Sequence, residues 1–288
     1  MNLRRNPRPL LVALLCLVTP GLALTLGTNA RRAEAADPPA ERTKFLLIGH
    51  DKDGHPRLTH EYLSVCQLLA KCLRQTPGVE TVVSNRWPQN DADLQNVKAI
   101  VLYVPWGSNI LFDGPHRDAA RKLLDSGVGL SAIHWATGAE RDEFGALWLQ
   151  YMGGWFHTDF SKIQHIKKQF TLVEPEHPIF RGGPEKNYEL FDEFYFDLRF
   201  DPNAKPLVTV DVDGRPNTIA WTFERTHGGR SFGFDAGHYH KNFGDDAFRR
   251  FVVNGILWTA HREIPPTGAP AAIEPADLEI PPAAEAAQ

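Results

Sequence analysis

Largely apolar runs recur along the chain, and several are followed by stretches whose apolar residues repeat at helical spacing. Thr43–Gly49, Val79–Val83, Ala99–Val104 and Gly127–Ile133 are runs of the first kind. Little charge and many small or branched side chains suit strands covered on both faces of a parallel sheet. Between the first two runs, Leu63, Leu68, Leu69 and Leu73 fall on one helical face. That helix opens at His60-Glu61-Tyr62, takes Thr59 as its expected N-cap and ends at Pro77-Gly78. Pro115–Ser126 and Glu140–Tyr151 repeat the pattern, the second with Phe144, Leu147, Trp148 and Tyr151 on its apolar side. Strands alternating with helices predict an α/β fold with parallel crossovers.

The second half reads differently. Ile163–Val173, Pro206–Val212, Thr218–Phe223 and Arg230–Phe234 read as strands, with Asp213-Gly214 and Gly228-Gly229 as hairpin turns. A last helix is expected over Asp246–Thr259, and beyond Glu263 the composition turns to proline and alanine. That end reads as an extended, disordered tail.

Candidate chemistry sits where strands stop. The run Gly127–Ile133 ends abruptly at His134, and the turn Trp135–Gly138 leads into the next helix. His134 therefore belongs at the carboxyl end of a strand, where open α/β sheets place their sites. Imidazole there is a general base, a metal ligand or a hydrogen-bonded core residue, and position alone leaves all three open. A second cluster, Gly237–Phe243, follows the strand Arg230–Phe234 and carries His238 and His240 two residues apart, with Lys241 beside them. On an extended segment the two imidazoles share a side, a pattern that suits a metal as well as a solvated loop. A third cluster, Glu189–Asp197, sets Glu189, Asp192, Glu193 and Asp197 among Phe and Tyr residues. Carboxylates in that setting are candidates for raised pKa values and acid–base work, or simply line the wet side of a strand. His157 and His177 either cap turns or fill core hydrogen bonds, and His165 is expected in a strand away from the pocket.

Composition narrows the function classes. Arg4, Arg5 and Arg8 precede the apolar run Leu10–Val18, interrupted by Pro20-Gly21, and Ala33-Glu34-Ala35 offers small residues for cleavage. This is the pattern of a secretory signal over residues 1–36, with export to the periplasm or medium and no stable membrane insertion after cleavage. With it leave Arg4, Arg5, Arg8, Arg31 and Arg32 against a single Glu34, so the net charge of −4 moves to −8. Such an acidic chain is a poor nucleic-acid binder. Cys66 and Cys72, six apart on the first helix, point to different sides and are expected to stay unpaired. No P-loop, G-x-G-x-x-G, G-x-S-x-G or H-E-x-x-H occurs, so no nucleotide cofactor is expected. Twelve histidines, several of them after strand ends, favour a site over scattered surface use.

His55-Pro56 with Thr59–Tyr62, Ala132–Gly138, His177-Pro178-Ile179, Asp192–Tyr195 and Gly237–Phe243 together resemble the ThuA-like (trehalose-utilisation) family, over about Lys44 to Ala260. The resemblance implies a fold of the class I glutamine amidotransferase-like superfamily. That is a flavodoxin-like three-layer α/β sandwich with a mainly parallel central sheet, here with extra β-hairpins in the second half. It divides the chain into a linker at 37–43, an α/β domain at 44–262 and a Pro/Ala tail at 263–288. Where the amidotransferases carry a cysteine this chain has His134, which argues against glutamine hydrolysis. The family points to a small-molecule carbohydrate, with 3-keto-glycosides among the options, and leaves a metal centre and a homo-oligomer open. Residues and resemblance meet on one pocket. His134, Glu193 and His238 are its candidate catalytic groups, and His134, Glu193, His238 and His240 its candidate ligands for a divalent metal, zinc first. His60, Trp106, Trp135, His157, His240 and Lys241 are the candidate substrate contacts, the indoles as flat surfaces for a sugar ring. A non-catalytic sugar-binding module is the alternative.

Overall fold

The computed structural model describes residues 42–280. The expected signal, most of the linker and the last eight residues of the tail lie outside that range. The first half builds strands β1 (Thr43–Gly49), β2 (Val79–Asn85), β3 (Val97–Leu102) and β4 (Gly129–Ile133), with helices α1 (Tyr62–Leu73), α2 (Asp91–Leu94), α3 (Gly107–Phe112), α4 (Arg117–Asp125) and α5 (Asp142–Met152). The second half adds β5 (Gly154–Trp155), β6 (Lys162–Gln169), β7 (Thr171–Leu172), β8 (Glu189–Phe196), β9 (Arg199–Phe200), β10 (Lys205–Val212), β11 (Arg215–Glu224) and β12 (Arg230–Phe234), closed by α6 (Asp246–Thr259).

Eight strands form the central sheet in the order β2-β1-β3-β4-β12-β11-β10-β7. The run from β2 to β12 is parallel, and β11, β10 and β7 extend it antiparallel. Because β1 is covered on both sides, its side chains alternate between two cores. Phe45 and Leu47 enter one with α1 and α6, while Leu46 and Ile48 enter the other with α3, α4 and α5. This is the three-layer sandwich that the apolar runs imply. Two further antiparallel pairs, β5-β9 and β6-β8, stand apart from the sheet. Cys66 and Cys72 are buried and unpaired.

Two local expectations change. Thr59 does not cap α1: the helix starts at Tyr62 with no side-chain cap, and the Thr59 hydroxyl donates to the Pro56 carbonyl at 2.6 Å. The chain reverses at His60, which takes a left-handed φ of 51°, so the helix cannot begin until that residue is passed. The Pro/Ala tail is extended but docked over residues 263–280, not disordered. Ile264, Ala269 and Ala271 are buried in the core beside α6. Its backbone groups are satisfied by side chains: Arg249 Nε donates to the Ala271 carbonyl (2.7 Å), and Gln75 both donates to and accepts from Ala272 (2.7 and 3.0 Å). The segment has one 3-10 turn of its own, Pro275–Leu278, and elsewhere donors and acceptors on α6 and on the turn after α1 satisfy its backbone.

If the docking holds in solution, Ile264→Ala removes a buried side chain and should destabilise the protein by about 2–5 kcal/mol in urea unfolding. A change within about 0.5 kcal/mol, the surface value, would show that the tail does not pack.

Candidate metal centre

Three parallel strands each deliver one imidazole at their carboxyl ends. His60 comes from the loop after β1, His134 directly follows β4, and His238 follows β12. The loops after β1 and β12 are joined by backbone hydrogen bonds. His60 N–H donates to the His238 carbonyl (3.2 Å), His240 N–H donates to Leu58 (2.9 Å), and Thr59 bridges Tyr239. His60 and His134 both adopt left-handed backbones, with φ of 51° and 57°. Such conformations cost of order 1–3 kcal/mol each and persist where surrounding structure enforces them, commonly at functional sites.

The His238 loop is held by a buried carboxylate. Asp192 accepts from the backbone N–H groups of Gly237 (2.8 Å), His238 (3.0 Å) and Glu193 (2.8 Å) and from the Asn242 amide (2.9 Å). Gly237 turns the chain at φ 120°, a conformation a side chain would strain. Burial pushes the Asp192 carboxyl up to about 7 in spite of these four donors.

Hydrogen bonds at the far side of two of the rings, His134 and His60, fix their protons. The Asp235 carbonyl can only accept, so His134 Nδ1, 2.7 Å away, carries the proton and leaves Nε2 bare. Tyr62 donates to Asp53 Oδ2 at 2.5 Å, so its oxygen accepts from His60 Nδ1 at 2.8 Å, and His60 Nε2 is bare as well. The two bare nitrogens face each other at 3.0 Å, and His238 Nδ1 stands 2.9 Å from His60 Nε2. Glu193 reaches to 3.5 Å from both His134 Nε2 and His238 Nδ1. Lone pairs aimed at each other repel unless a cation sits between them. A proton is a poor candidate, because burial and the neighbouring rings depress the imidazolium form: His60 falls to about 4, His238 to about 3, and His134 well below its ordinary value. A divalent metal fits. His60, His134, His238 and Glu193 each offer one ligand atom, all within 4.8 Å of one another. Neighbouring ligands on an ion held at about 2.0–2.2 Å stand about 3.3–3.6 Å apart in a tetrahedral site, so the rings need open by only a few tenths of an ångström.

Of the residues expected in the site, His134, His238, Glu193 and His60 come together. His240 does not: the chain enters a 3-10 turn at that residue, and its buried ring lies toward Phe243 and the backbone of Leu278. The H-x-H pair reaches one point neither as an extended segment nor through its turn, because the 3-10 turn that starts at His240 carries its ring away, and His60 stands with His238 instead. His157 is a turn brace, its Nε2 donating to the Glu140 carbonyl (2.9 Å) and its Nδ1 accepting from Asp159 N–H (3.1 Å), so neither nitrogen is left for a substrate. Trp135 borders the site, 5.3 Å from the His60 ring, while Trp106 stands behind it against Trp135 and Phe156. Lys241 lines the cleft above the histidines. His165, expected away from the pocket, lies in it: its Nε2 is 3.0 Å from Glu193 Oε2, because β6 pairs with β8 and sets His165 directly opposite Glu193. Burial raises the Glu193 pKa, and His165 and Tyr195 oppose that rise.

Several functional residues went unread. Asp53 and Tyr62 set the His60 tautomer, Tyr195 lies 3.0 Å from His134 Nε2, and the His55 ring stacks on His60 at 3.9 Å. His55, Tyr62 and Tyr195 lie within the motifs that carry the family resemblance, and for Asp53 the Asp53-x-His55 spacing in a loop after a strand was the available signal. The cleft over this cluster has a volume of about 600 Å³ and is lined by His55, His165, Glu193, His238 and Tyr239 among others. A larger cleft of about 910 Å³ lies at the other end of the strands, near Asp125, Arg225 and Trp258. It holds none of the clusters of metal-type ligands found among the described residues.

The depressed imidazoles carry a pH signature. An unfolded histidine titrates near 6.5, so between that pH and about 4 the unfolded chain binds more protons at His60 and His238 than the folded one. Their contribution is complete above pH 6.5 and is lost as pH falls, by about 1.4 kcal/mol per pH unit for each ring within the window. The raised Asp192 carboxyl contributes with the opposite sign over the same range, so the difference between variants is the test. Denaturant midpoints of chelator-treated protein from pH 7 to 5 should fall less, or rise more, in His60→Gln than in wild type, and identical slopes would refute the assignment of neutral, buried rings.

The fold agrees with that of solved structures. A ThuA-like protein from Bacteroides uniformis superposes with a TM-score of 0.58 at 16% identity, covering 78% of this chain and 94% of its own. One from Parabacteroides merdae gives 0.56 at 15% identity, covering 83% and 100%. At these identities the likeness speaks for the fold alone. A search of curated proteins finds no relative of this chain by sequence. The ThuA family model, described as trehalose utilisation, matches residues 51–259, well over half of the sequence and all three histidine-bearing strand ends, and the chain belongs to that family.

Proposed function

We propose that this chain is a divalent-metal-dependent enzyme that moves a proton on a sugar or 3-keto-glycoside. The observation that carries the proposal is the pair of bare imidazole nitrogens, His60 Nε2 and His134 Nε2, held 3.0 Å apart with both ring protons committed outward. His60, His134 and His238 would hold the ion, zinc being well suited to neutral imidazoles. Bound there, the ion would polarise a carbonyl or hydroxyl oxygen of the sugar.

The remaining chemistry belongs to the side chains. Glu193 opens onto the cleft, and burial raises its pKa toward the range in which a carboxyl group can both take and give a proton. His165, opposite it across the β6-β8 pair, holds its Oε2 at 3.0 Å. Tyr195 is stacked on Phe156 with ring centroids 4.0 Å apart, which fixes its hydroxyl beside His134. Trp135 offers the flat apolar surface nearest the histidines. We further propose that residues 1–36 direct export, so that this chemistry takes place outside the cytoplasm. N-terminal sequencing of protein from the native host tests that reading, and an intact Met1 would reject it.

Elemental analysis of purified protein should find about one transition-metal ion per chain, lost in His134→Ala. Glu193→Gln should keep the metal and the fold while turnover of a keto-sugar and solvent deuterium exchange into it fall by about 10²–10⁴. Protein that binds sugars with full metal content but neither exchanges nor converts any of them would instead be the binding module.

A further inference from the structure

Charge at the mouth of the cleft is one-sided. Among the residues lining it, Glu193 is the one carboxylate, and it faces His165 at 3.0 Å. Arg57 and Lys241 line the same mouth. Cations beside them are already paired: Lys52 with Glu61 at 2.9 Å and Lys167 with Glu189 at 2.6 Å. Lys241 has no carboxylate within ion-pair distance among the described residues. Its ammonium lies over the rings of Tyr239 (5.3 Å) and Phe191 (5.9 Å). Arg57 has no carboxylate partner there either, and its guanidinium donates to the Ile280 carbonyl, an uncharged acceptor. In a chain with 35 acidic and 31 basic residues, two uncompensated cations at one opening are not what composition alone predicts.

Shape supports the same reading. The cleft of about 600 Å³ is larger than one sugar ring needs, and its outer wall is apolar, with Leu58 43% exposed and Tyr239 beside it. Arg57 precedes Leu58 in the chain and the Lys241 ammonium lies 5.3 Å over the Tyr239 ring, so a ring lying on that wall would have both cations beside it. We propose that the cleft takes a carbohydrate carrying an anionic group, a carboxylate or a phosphate, and that Lys241 and Arg57 hold that group at the mouth. This deepens the proposed function and rests on its reading of the cleft as the sugar site. The cations also raise the local concentration of such a ligand, an effect that salt screens.

Calorimetric titration of the full chain with methyl glucoside, glucuronate and glucose 6-phosphate tests the proposal, run on metal-loaded and on chelated protein. At least one anionic probe should bind about tenfold or more tightly than the neutral one, in both forms of the protein, and added salt should narrow the gap. The glucuronate and phosphate arms tell the two anions apart. Lys241→Glu and the pair Arg57→Ala with Lys241→Ala should abolish the preference while leaving the circular dichroism spectrum and the metal content unchanged. Equal affinity for neutral and anionic probes, or no binding of either anion, would overturn the proposal. An anion preference that vanishes with the metal and survives Lys241→Glu would overturn it too, since the anion would then sit on the metal. Metal content measured on the same samples keeps the two readings separate: protein that takes up no metal yet prefers anions fails the proposed function and not this one.

Discussion

The site is governed by where its protons cannot go. His134 gives its proton to the Asp235 carbonyl and His60 gives its own to Tyr62, which is itself pinned by Asp53. Each donor bond points away from the centre, so the inner nitrogens are left as bare lone pairs in a buried space. Burial then makes protonation of the inner nitrogens costly, and together with His238 and Glu193 they form a cluster that could hold a metal ion. Left-handed backbones at His60 and His134, the buried Asp192 and the turn at Gly237 all serve to keep those rings in place.

The architecture makes this possible because each ligand comes from a different layer of sequence but the same edge of the sheet. Parallel strands β1, β4 and β12 all end on one side, and their following loops converge there. The paired strands β6 and β8 stand apart from the sheet and bring Glu193, Tyr195 and His165 against the histidines. The same pair carries Phe191, which with Tyr239 supports the Lys241 ammonium at the mouth of the cleft. The insertion in the second half thus completes a site that the α/β core only begins.

The tail reaches the same region from the other direction. Its docking on α1 and α6 ends with the Ile280 carbonyl on Arg57, and Leu278 packs near Gly244 beside the His238 loop. Composition suggested a free segment because proline and alanine carry little apolar surface. What holds it is a set of side-chain donors and acceptors: Gln75, in the turn after α1 and far away in sequence, and Arg249 and Asn254 on the preceding helix α6.

Strand and helix periodicity was enough to read the alternating first half, the hairpin at Asp213-Gly214 and the last helix, because these depend on local spacing and on burial of both sheet faces. It also located His134 and His238, since a polar residue that ends an apolar run must lie at a strand end, and the aromatic setting of Glu193 flagged its carboxylate. What spacing could not supply was the partner of each ring. His240 looks equivalent to His238 until the turn that rotates it away is seen, and His165 looks remote until β6 is paired with β8. His157 reads from sequence as a turn brace or as a substrate contact, and both its nitrogens serve a turn. Which nitrogen is bare, and toward what it points, is decided by hydrogen bonds between residues far apart in the chain, as with His134 and Asp235. Local sequence fixes backbone preference and burial, but the direction of a lone pair is set by contacts that exist only once the chain has folded.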